Sequence, residues 1–303
     1  MPPFFSIVIP AYNRSGLLIS AVRSVLKQSF SNFECVIVND GSTDDMVDVI
    51  NREFGDELQC RIITQQNSER GAARNNGFRN SRGEYVVFLD SDDLLLPNHL
   101  ATLHTKIIEQ KYPLFIATKF NFIRDNKIYN GTLADYSEGY YDYTFFLNGN
   151  ALACNVCVKR NNPSLHLFVE DRNYSIMEDW MFFVQNLRYD KMYLIDKVTL
   201  LMNDHADRSM RGDGKVIIEK NWLAIKWMES NCDLSVEDKK MVEAHGNYFS
   251  AIHSYIDGER KDCFSFLQKA TKINGWRKKY MILWFKNLIG RKTIRRLADV
   301  MMC

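Results

Sequence analysis

The first ninety residues alternate between short apolar runs and segments whose apolar residues recur every three or four positions. Phe5–Pro10 (FSIVIP), Glu34–Asn39 (ECVIVN), Cys60–Thr64 (CRIIT) and Glu84–Leu89 (EYVVFL) are rich in Val, Ile and Phe. They are continuous rather than strictly alternating, which predicts strands covered on both faces. Between them, Leu17, Ala21, Val22, Val25 and Leu26 fall at helical spacing, as do Met46, Val47, Val49 and Ile50. A third helix is expected from about Glu69 to Asn80, and Ser42-Thr43-Asp44-Asp45 supplies N-cap candidates for the second. Repeated β-α units of this length imply a parallel, right-handed sheet with helices on both faces.

Beyond Asp93 the pattern predicts a helix over Pro97–Gln110, with Pro in its first turn, and a strand over Leu114–Phe120. A further helix is expected over Glu178–Tyr189 and a strand over Lys191–Met202. From Val216 the pattern is helical, with Trp222, Ile225, Trp227, Met228, Phe249 and Ile252 as expected core contacts.

With 303 residues the chain has room for one large domain, or one domain and an appendage. A composition 46% hydrophobic and 25% charged is that of an ordinary soluble globular protein. The net charge of +2 hides an asymmetry: 16 Lys and Arg against 10 Asp and Glu from Val216 onward, and 23 against 27 before it. Such ends are expected to meet different partners. Seven scattered cysteines do not suit a closed disulfide framework. Cys154 and Cys157 have no second pair for a zinc ribbon, and Cys154–Lys159 reads as a strand with alternating faces, so reduced thiols in a cytoplasmic protein are expected. The apolar run Phe4–Pro10 is too short for a secretory leader, and no stretch approaches the roughly 18 apolar residues of a membrane span.

Candidate chemistry follows from the expected sheet. Ligands of open parallel sheets sit beyond the carboxyl ends of the strands. Three polar clusters fall at such ends: Ala11-Tyr12-Asn13-Arg14, Asp40-Gly41-Ser42 and Asp90-Ser91-Asp92-Asp93. Arg74 and Asn75 lie on the helix before the last of these strands. Three carboxylates within four residues repel one another strongly, and a hard divalent cation with phosphate ligands would relieve that repulsion. The alternative is a helix N-cap, a role that Asp93 alone could fill.

The series IVIPAYNR, VNDGSTDD, GAARNNG, FLDSDD and MEDW, in this order and spacing, resembles the family 2 glycosyltransferases over about the first 210 residues. D-x-D alone is a weak signal, whereas the five segments together are specific. The resemblance implies an α/β GT-A fold: a Rossmann-like, mostly parallel central sheet with helices on both faces. It makes residues 1–215 the catalytic domain, with 1–95 the nucleotide-binding half and 96–215 the acceptor-binding half. Residues 216–303 remain as a helical C-terminal region with a basic amphipathic tail.

Carried over by position, Pro10, Ala11 and Tyr12 would line the nucleobase pocket, with Tyr12 stacking on the base. Asp40 would accept from uracil N3–H, which makes a UDP-sugar the default donor. Arg74 would lie near the base or the phosphates. Asp90 and Ser91 would hold the ribose or sugar, and Asp92 would ligate a manganese or magnesium ion. Packing at a strand end, a turn and a surface ion pair are the plainer readings of Tyr12, Asp40 and Arg74. Where many members carry a Gly-rich stretch, this chain has Asn67-Ser68-Glu69-Arg70-Gly71, adding a charge pair near the donor pocket.

Glu178-Asp179 resembles the family's catalytic acid pair. Asp179 would take the proton of an attacking acceptor hydroxyl, and Glu178 would support it or bind acceptor. A metal-stabilised diphosphate needs no protein acid, so the chemistry implied is a single displacement with inversion. The plainer reading is a pair of acids favoured by the helix dipole. In the loop after the last strand, His205 would complete the metal shell or touch the diphosphate. Arg208 or Ser209 would close over the phosphates, and Gly212 and Gly214 would let the loop move as a lid. His99, His104, His166, His245 and His253 are read as structural.

Trp276–Arg296 contains eight Lys and Arg, no acid, and interleaved aromatic and aliphatic residues. Such a helix suits an anionic membrane surface; packing on the rest of the chain or a homodimer contact are the alternatives. No nucleic-acid motif accompanies the charge, so no nucleic-acid partner is expected. The reading is an inverting, metal-dependent hexosyl- or N-acetylhexosaminyltransferase of the bacterial surface-polysaccharide type. It would act on a saccharide or lipid-linked saccharide in the cytoplasm or at the inner face of the membrane. The rivals are a non-catalytic nucleotide-sugar-binding scaffold and a sugar nucleotidyltransferase. The latter normally has a Gly-rich basic phosphate loop, absent from Ile7–Arg14, and a dehydrogenase would need G-x-G-x-x-G there.

Overall fold

The computed structural model describes residues 2–205 and 208–290. Ala206 and Asp207 of the late loop, the Ser209 side chain, and Arg291, Lys292, Arg295 and Arg296 of the basic stretch lie outside the described residues. The chain divides into two compact units. One comprises the residues up to Tyr143 with Asn150–His205, and the other comprises Thr144–Gly149 with the chain after His205.

In the first unit the elements run β1 (Phe5–Ala11), α1 (Ser15–Leu26), β2 (Phe33–Asn39), α2 (Met46–Phe54), β3 (Cys60–Thr64), α3 (Glu69–Arg79) and β4 (Tyr85–Phe88). They continue as β5 (Leu94–Leu95), α4 (His99–Glu109), β6 (Phe115–Arg124), β7 (Lys127–Asn130), β8 (Gly139–Tyr141), β9 (Cys157–Lys159), α5 (Glu178–Leu187) and β10 (Met192–Asn203). The sheet order is β3-β2-β1-β4-β9-β6-β10-β5, with β7 beside β6 and β8 beside β10. β1 pairs in parallel with β2 and β4, and β2 with β3, as continuous apolar runs require. β6 and β10 form a second parallel pair, and β9 runs antiparallel between β4 and β6. This mixed sheet with helical cover is the expected GT-A architecture, with strand order reversing beside β1.

Every residue of β1 and β2 is buried, so both faces of these strands are covered. α1 buries Leu18, Ala21, Val22 and Val25, placing its seam on Leu18 rather than Leu17. α3 is the exception to hydrophobic patterning: it buries Gly71, Ala72, Ala73, Arg74, Asn75 and Gly77. It lies so close to the sheet that a Cβ at Gly77 would stand 2.3 Å from Val8 Cγ1. Short side chains permit that approach, and the polar ones must then find partners in the interior.

The strand expected over Cys154–Lys159 is confined to Cys157–Lys159. Ala153, in a left-handed conformation (φ 52°), turns the chain first, so Cys154 lies in a turn. Both thiols are buried, and burial pushes both well above the ordinary thiol range, which keeps them unreactive.

The second unit carries α6 (Gly214–Asn231), α7 (Val236–Asp257), α8 (Arg260–Asn274) and α9 (Lys278–Ile289). Ser235 and Asp238 form a capping box that starts α7. Ala251, Cys263, Leu267, Ala270, Tyr280 and Leu283 make one core cluster, against which Ile252 packs. Ile225 and Met228 are buried as expected, whereas Trp222, Trp227 and Phe249 are only half-buried. Gly214 is the first residue of α6, N-capped by Asp213, and faces Asp257, so it is a helix start rather than a lid hinge. Among the described residues no helix is long and apolar enough to cross a membrane.

Candidate active site

The ends of β1 and β2 are tied to one another before any ligand is considered. Asp40 N–H donates to the Ala11 carbonyl (2.9 Å). Asn13, held at φ 50°, donates its N–H to Ser42 Oγ (3.0 Å) and accepts from Thr43 N–H (2.8 Å). Ser42 and Thr43 therefore link the two loops and do not cap α2; only Asp44 reaches that end, at 3.3 Å from Met46 N. Pro10 and Ala11 are buried at the strand end, while Tyr12 is 47% exposed beside them.

Asp40 is 4% exposed. Its Oδ1 accepts from Gln65 Nε2 and from Ser68 N–H, both at 2.8 Å. Gly41 next to it is left-handed (φ 73°), and a Cβ there would meet Asn67 N at 2.7 Å, so the turn requires glycine. Asp40 is thus a turn organiser, and the hydrogen bonds to its carboxylate among the described residues fall on Oδ1. Replacing it with Ala should destabilise the unit by about 1–3 kcal/mol, because Ser68 N–H loses its acceptor. Chemical denaturation checks this.

The acidic turn after β4 divides its labour. Ser91 and Asp93 are each 5% exposed. Asp93 Oδ1 accepts from Asn203 N–H at the end of β10 (3.0 Å), so it pins that strand and does not cap α4. Two residues further on, His205 Nε2 stands 2.8 Å from Asp92 Oδ2. Arg14 Nη1 pairs with the same Asp92 oxygen. Asp90 accepts from Arg74 Nη2 (2.6 Å).

Arg74 differs most from its expected place. It is 1% exposed, and its guanidinium bridges Asp90 and Glu178, the latter through Nη1 at 2.8 Å. Its face also lies 5.3 Å from the Phe168 ring centroid. A buried fork committed to two carboxylates positions those acids; it is not an open phosphate ligand. Arg70 also approaches Glu178 Oε1 (3.6 Å), and Glu69 pairs with Arg172 (3.2 Å). The expected Glu69–Arg70 pair is therefore split between two partners downstream. Asn75 exchanges hydrogen bonds with Phe168 N–H (3.0 Å) and the Phe168 carbonyl (2.8 Å), as a neighbouring strand would. Asn75 and Arg14 are the site residues to which sequence reasoning gave no role, although both stand inside the recognised segments.

Glu178 and Asp179 open α5. Glu178 is 2% exposed, and its Oε1 is engaged by Arg74 and approached by Arg70. Asp179 is only partly buried and accepts its neighbour Trp180's N–H (2.8 Å). Its carboxyl is pushed up to about 7, first by burial, then by the Glu178 charge and by Asp90, against the pull of Arg74. A carboxyl that titrates near neutrality and retains access is matched to proton abstraction.

The donor set also fits a hard divalent ion. Ligand atoms of Asp90, Asp92 and Asp93 lie within 4.8 Å of one another, and Asp92 already attracts two cationic or imidazole groups. One Asp93 oxygen already serves backbone and one Asp90 oxygen serves Arg74, so Asp92, with His205 beside it, is the first candidate to hold an ion.

A sheet of this order, with its acids at the point where the order reverses, defines a glycosyltransferase fold of the GT-A class. Residues 6–160 match the family model "Glycosyl transferase family 2", and the chain belongs to that family. It is 29% identical over 255 residues to glycosyltransferase GlyA of Streptococcus pneumoniae, covering 77% of this chain and 34% of that protein. The chain thus spans about a third of GlyA's length. Its fold is similar to that of S. aureus TarS residues 1–349 in complex with UDP-GlcNAc (TM-score 0.67, 17% identity, 93% of this chain and 88% of that one). It is also similar to the mannosyltransferase PcManGT of Pyrobaculum calidifontis in complex with GDP-Man and Mn2+ (TM-score 0.60, 14% identity, 95% and 81% covered).

Proposed function

We propose that the chain transfers one sugar from a UDP-sugar to a hydroxyl of a saccharide or lipid-linked saccharide, with inversion, using Asp179 as the base. The observation that carries this reading is the place of Asp179, partly accessible in the first turn of α5, with burial and then the Glu178 charge pushing its carboxyl up to about 7. The second oxygen of Asp40 suits a base N–H, and the exposed ring of Tyr12 suits the face of a base. Asp90, fixed by Arg74, and Ser91 would position the ribose or sugar. Asp92 and His205 would hold manganese or magnesium, which when bound neutralises charge on the departing diphosphate. Arg14, released from Asp92, would remain within reach of the phosphates. Glu178 and Arg74 set the charge felt by the Asp179 carboxyl. TarS with UDP-GlcNAc and PcManGT with GDP-Man and Mn2+ lend support through their shared fold.

A panel of nucleotide-sugars incubated with the protein and manganese should show consumption of one or two donors. A chelator should suppress it, and added manganese or magnesium should restore it. Consumption unaffected by the chelator would remove the metal from this reading. Donor binding without consumption of any donor, with or without candidate saccharide acceptors, would leave a binding scaffold instead.

A further inference from the structure

α9 presents two apolar faces. Tyr280, Leu283 and Asn287 are buried at 1%, 6% and 1% exposure, and they dock the helix on the core of the second unit. At 100° per residue, Met281, Ile282, Phe285, Leu288 and Ile289 fall on the opposite side, all between 45% and 53% exposed. Trp276, just before the helix, is 66% exposed. An apolar stripe running the length of a helix and left in water is an interaction surface rather than scatter.

The polar groups around this stripe identify its partner. An open cavity of about 530 Å³ at the start of α9 is lined by Arg277, Lys278 and Lys279 with Asn148 and Asn274, and among the described residues none of its lining is acidic. Ile282, on the exposed stripe, forms part of its wall. Within α9, Lys286 adds a further exposed cation and there is no acid. Burial, and then the nearby Arg277 charge, push Lys279 below the ordinary lysine range. Its Nζ rests 4.8 Å from the Tyr248 ring centroid.

We infer that the outer face of α9 seats on an anionic lipid bilayer, with Phe285, Ile289 and their neighbours among the acyl chains and a lipid phosphate in the Arg277–Lys279 cavity. A second protein copy would need an acidic complement that the α9 face itself does not supply, whereas an anionic bilayer offers apolar depth and negative charge together. This surface does not depend on the transfer reaction.

The test uses the full chain in vesicle co-sedimentation, comparing phosphatidylcholine alone with phosphatidylcholine containing about one-third phosphatidylglycerol. Binding should be at least tenfold tighter to the anionic vesicles and should weaken as salt rises. Replacing both Arg277→Gln and Lys278→Gln should weaken it about 30-fold, on the order of 1 kcal/mol per charge. Phe285→Ser with Ile289→Ser should abolish it while leaving the thermal midpoint unchanged, since both side chains are half-exposed. No binding by the parent chain, equal binding to neutral vesicles, or variants that bind as the parent does would each overturn the inference. So would a parent chain that dimerises without lipid and becomes monomeric with the two serines, because the face would then belong to a second copy.

Discussion

Asp179→Asn should lower turnover about 10²–10⁴-fold while changing the donor dissociation constant little, because the carboxylate is placed to act on the acceptor proton. The same substitution should also stabilise the protein. In the folded chain the Asp179 carboxyl titrates at about 7, well above the usual carboxylate range. The folded state therefore holds that proton more tightly than the unfolded state does. Its contribution to stability is fully present below the unfolded pKa and is lost as pH rises through about 7. Asparagine cannot ionise, so the variant should gain a few degrees in thermal midpoint at pH 8 and less at pH 5. The kcat/KM of the parent should fall as pH drops below about 7. Unchanged turnover, or a midpoint gain equal at the two pH values, would remove Asp179 as the base.

Arg74→Ala should be the most damaging single change to stability. It would leave Glu178, 2% exposed, and Asp90 without their shared cation. Breaking a buried network on one side costs about 3–5 kcal/mol, which for a unit of this size lowers the midpoint on the order of 10 °C. Arg74→Lys keeps the charge but cannot fork between two carboxylates, so it should fall between. Adding Glu178→Gln to the alanine variant should recover part of the loss, and simple additivity of the two changes would argue against the network. One effect separates this role from scaffolding alone. The Arg74 charge lowers the Asp179 pKa, so its loss should move the acid limb of the kcat/KM profile to higher pH.

β1, β2 and β4 were legible because they are buried on both faces and read as near-continuous apolar runs, whereas β3 is only half-buried and was legible from its short Ile-rich run. Cys60–Thr64 was predicted to the residue, and Phe33–Asn39 differs by one position. β5, β7 and β8 were missed, since strands of two to four residues carry almost no periodicity, and β9 was expected three residues too long. Within the site, the sequence located the clusters but not the pairings. Nothing in GAARNNG says whether Arg74 faces solvent or protein. α3 has almost no apolar face, so the patterning that fixes the other helices is silent there. Asp93 was open to a capping role because Pro97 follows closely, whereas its partner is the Asn203 backbone N–H, 110 positions away. Such contacts are set by topology and leave no local signal.

The Arg74–Asn75 pair also bears on how the protein is assembled. Its partners Phe168, Glu170 and Glu178 lie 93 to 104 residues downstream, so its contacts close some of the longest loops in the unit. During synthesis β3-β2-β1-β4 can pair through their own short crossovers well before that segment has been made. Until then the Asn75 amide has only water to bind, and the Arg74 guanidinium has Asp90 but not Glu178. The stretch matching the family model ends at residue 160, short of all three partners. A fragment cut at that boundary would therefore retain the sheet's first four strands yet expose the polar seam of α3. Its solubility would depend on what else came to cover that seam.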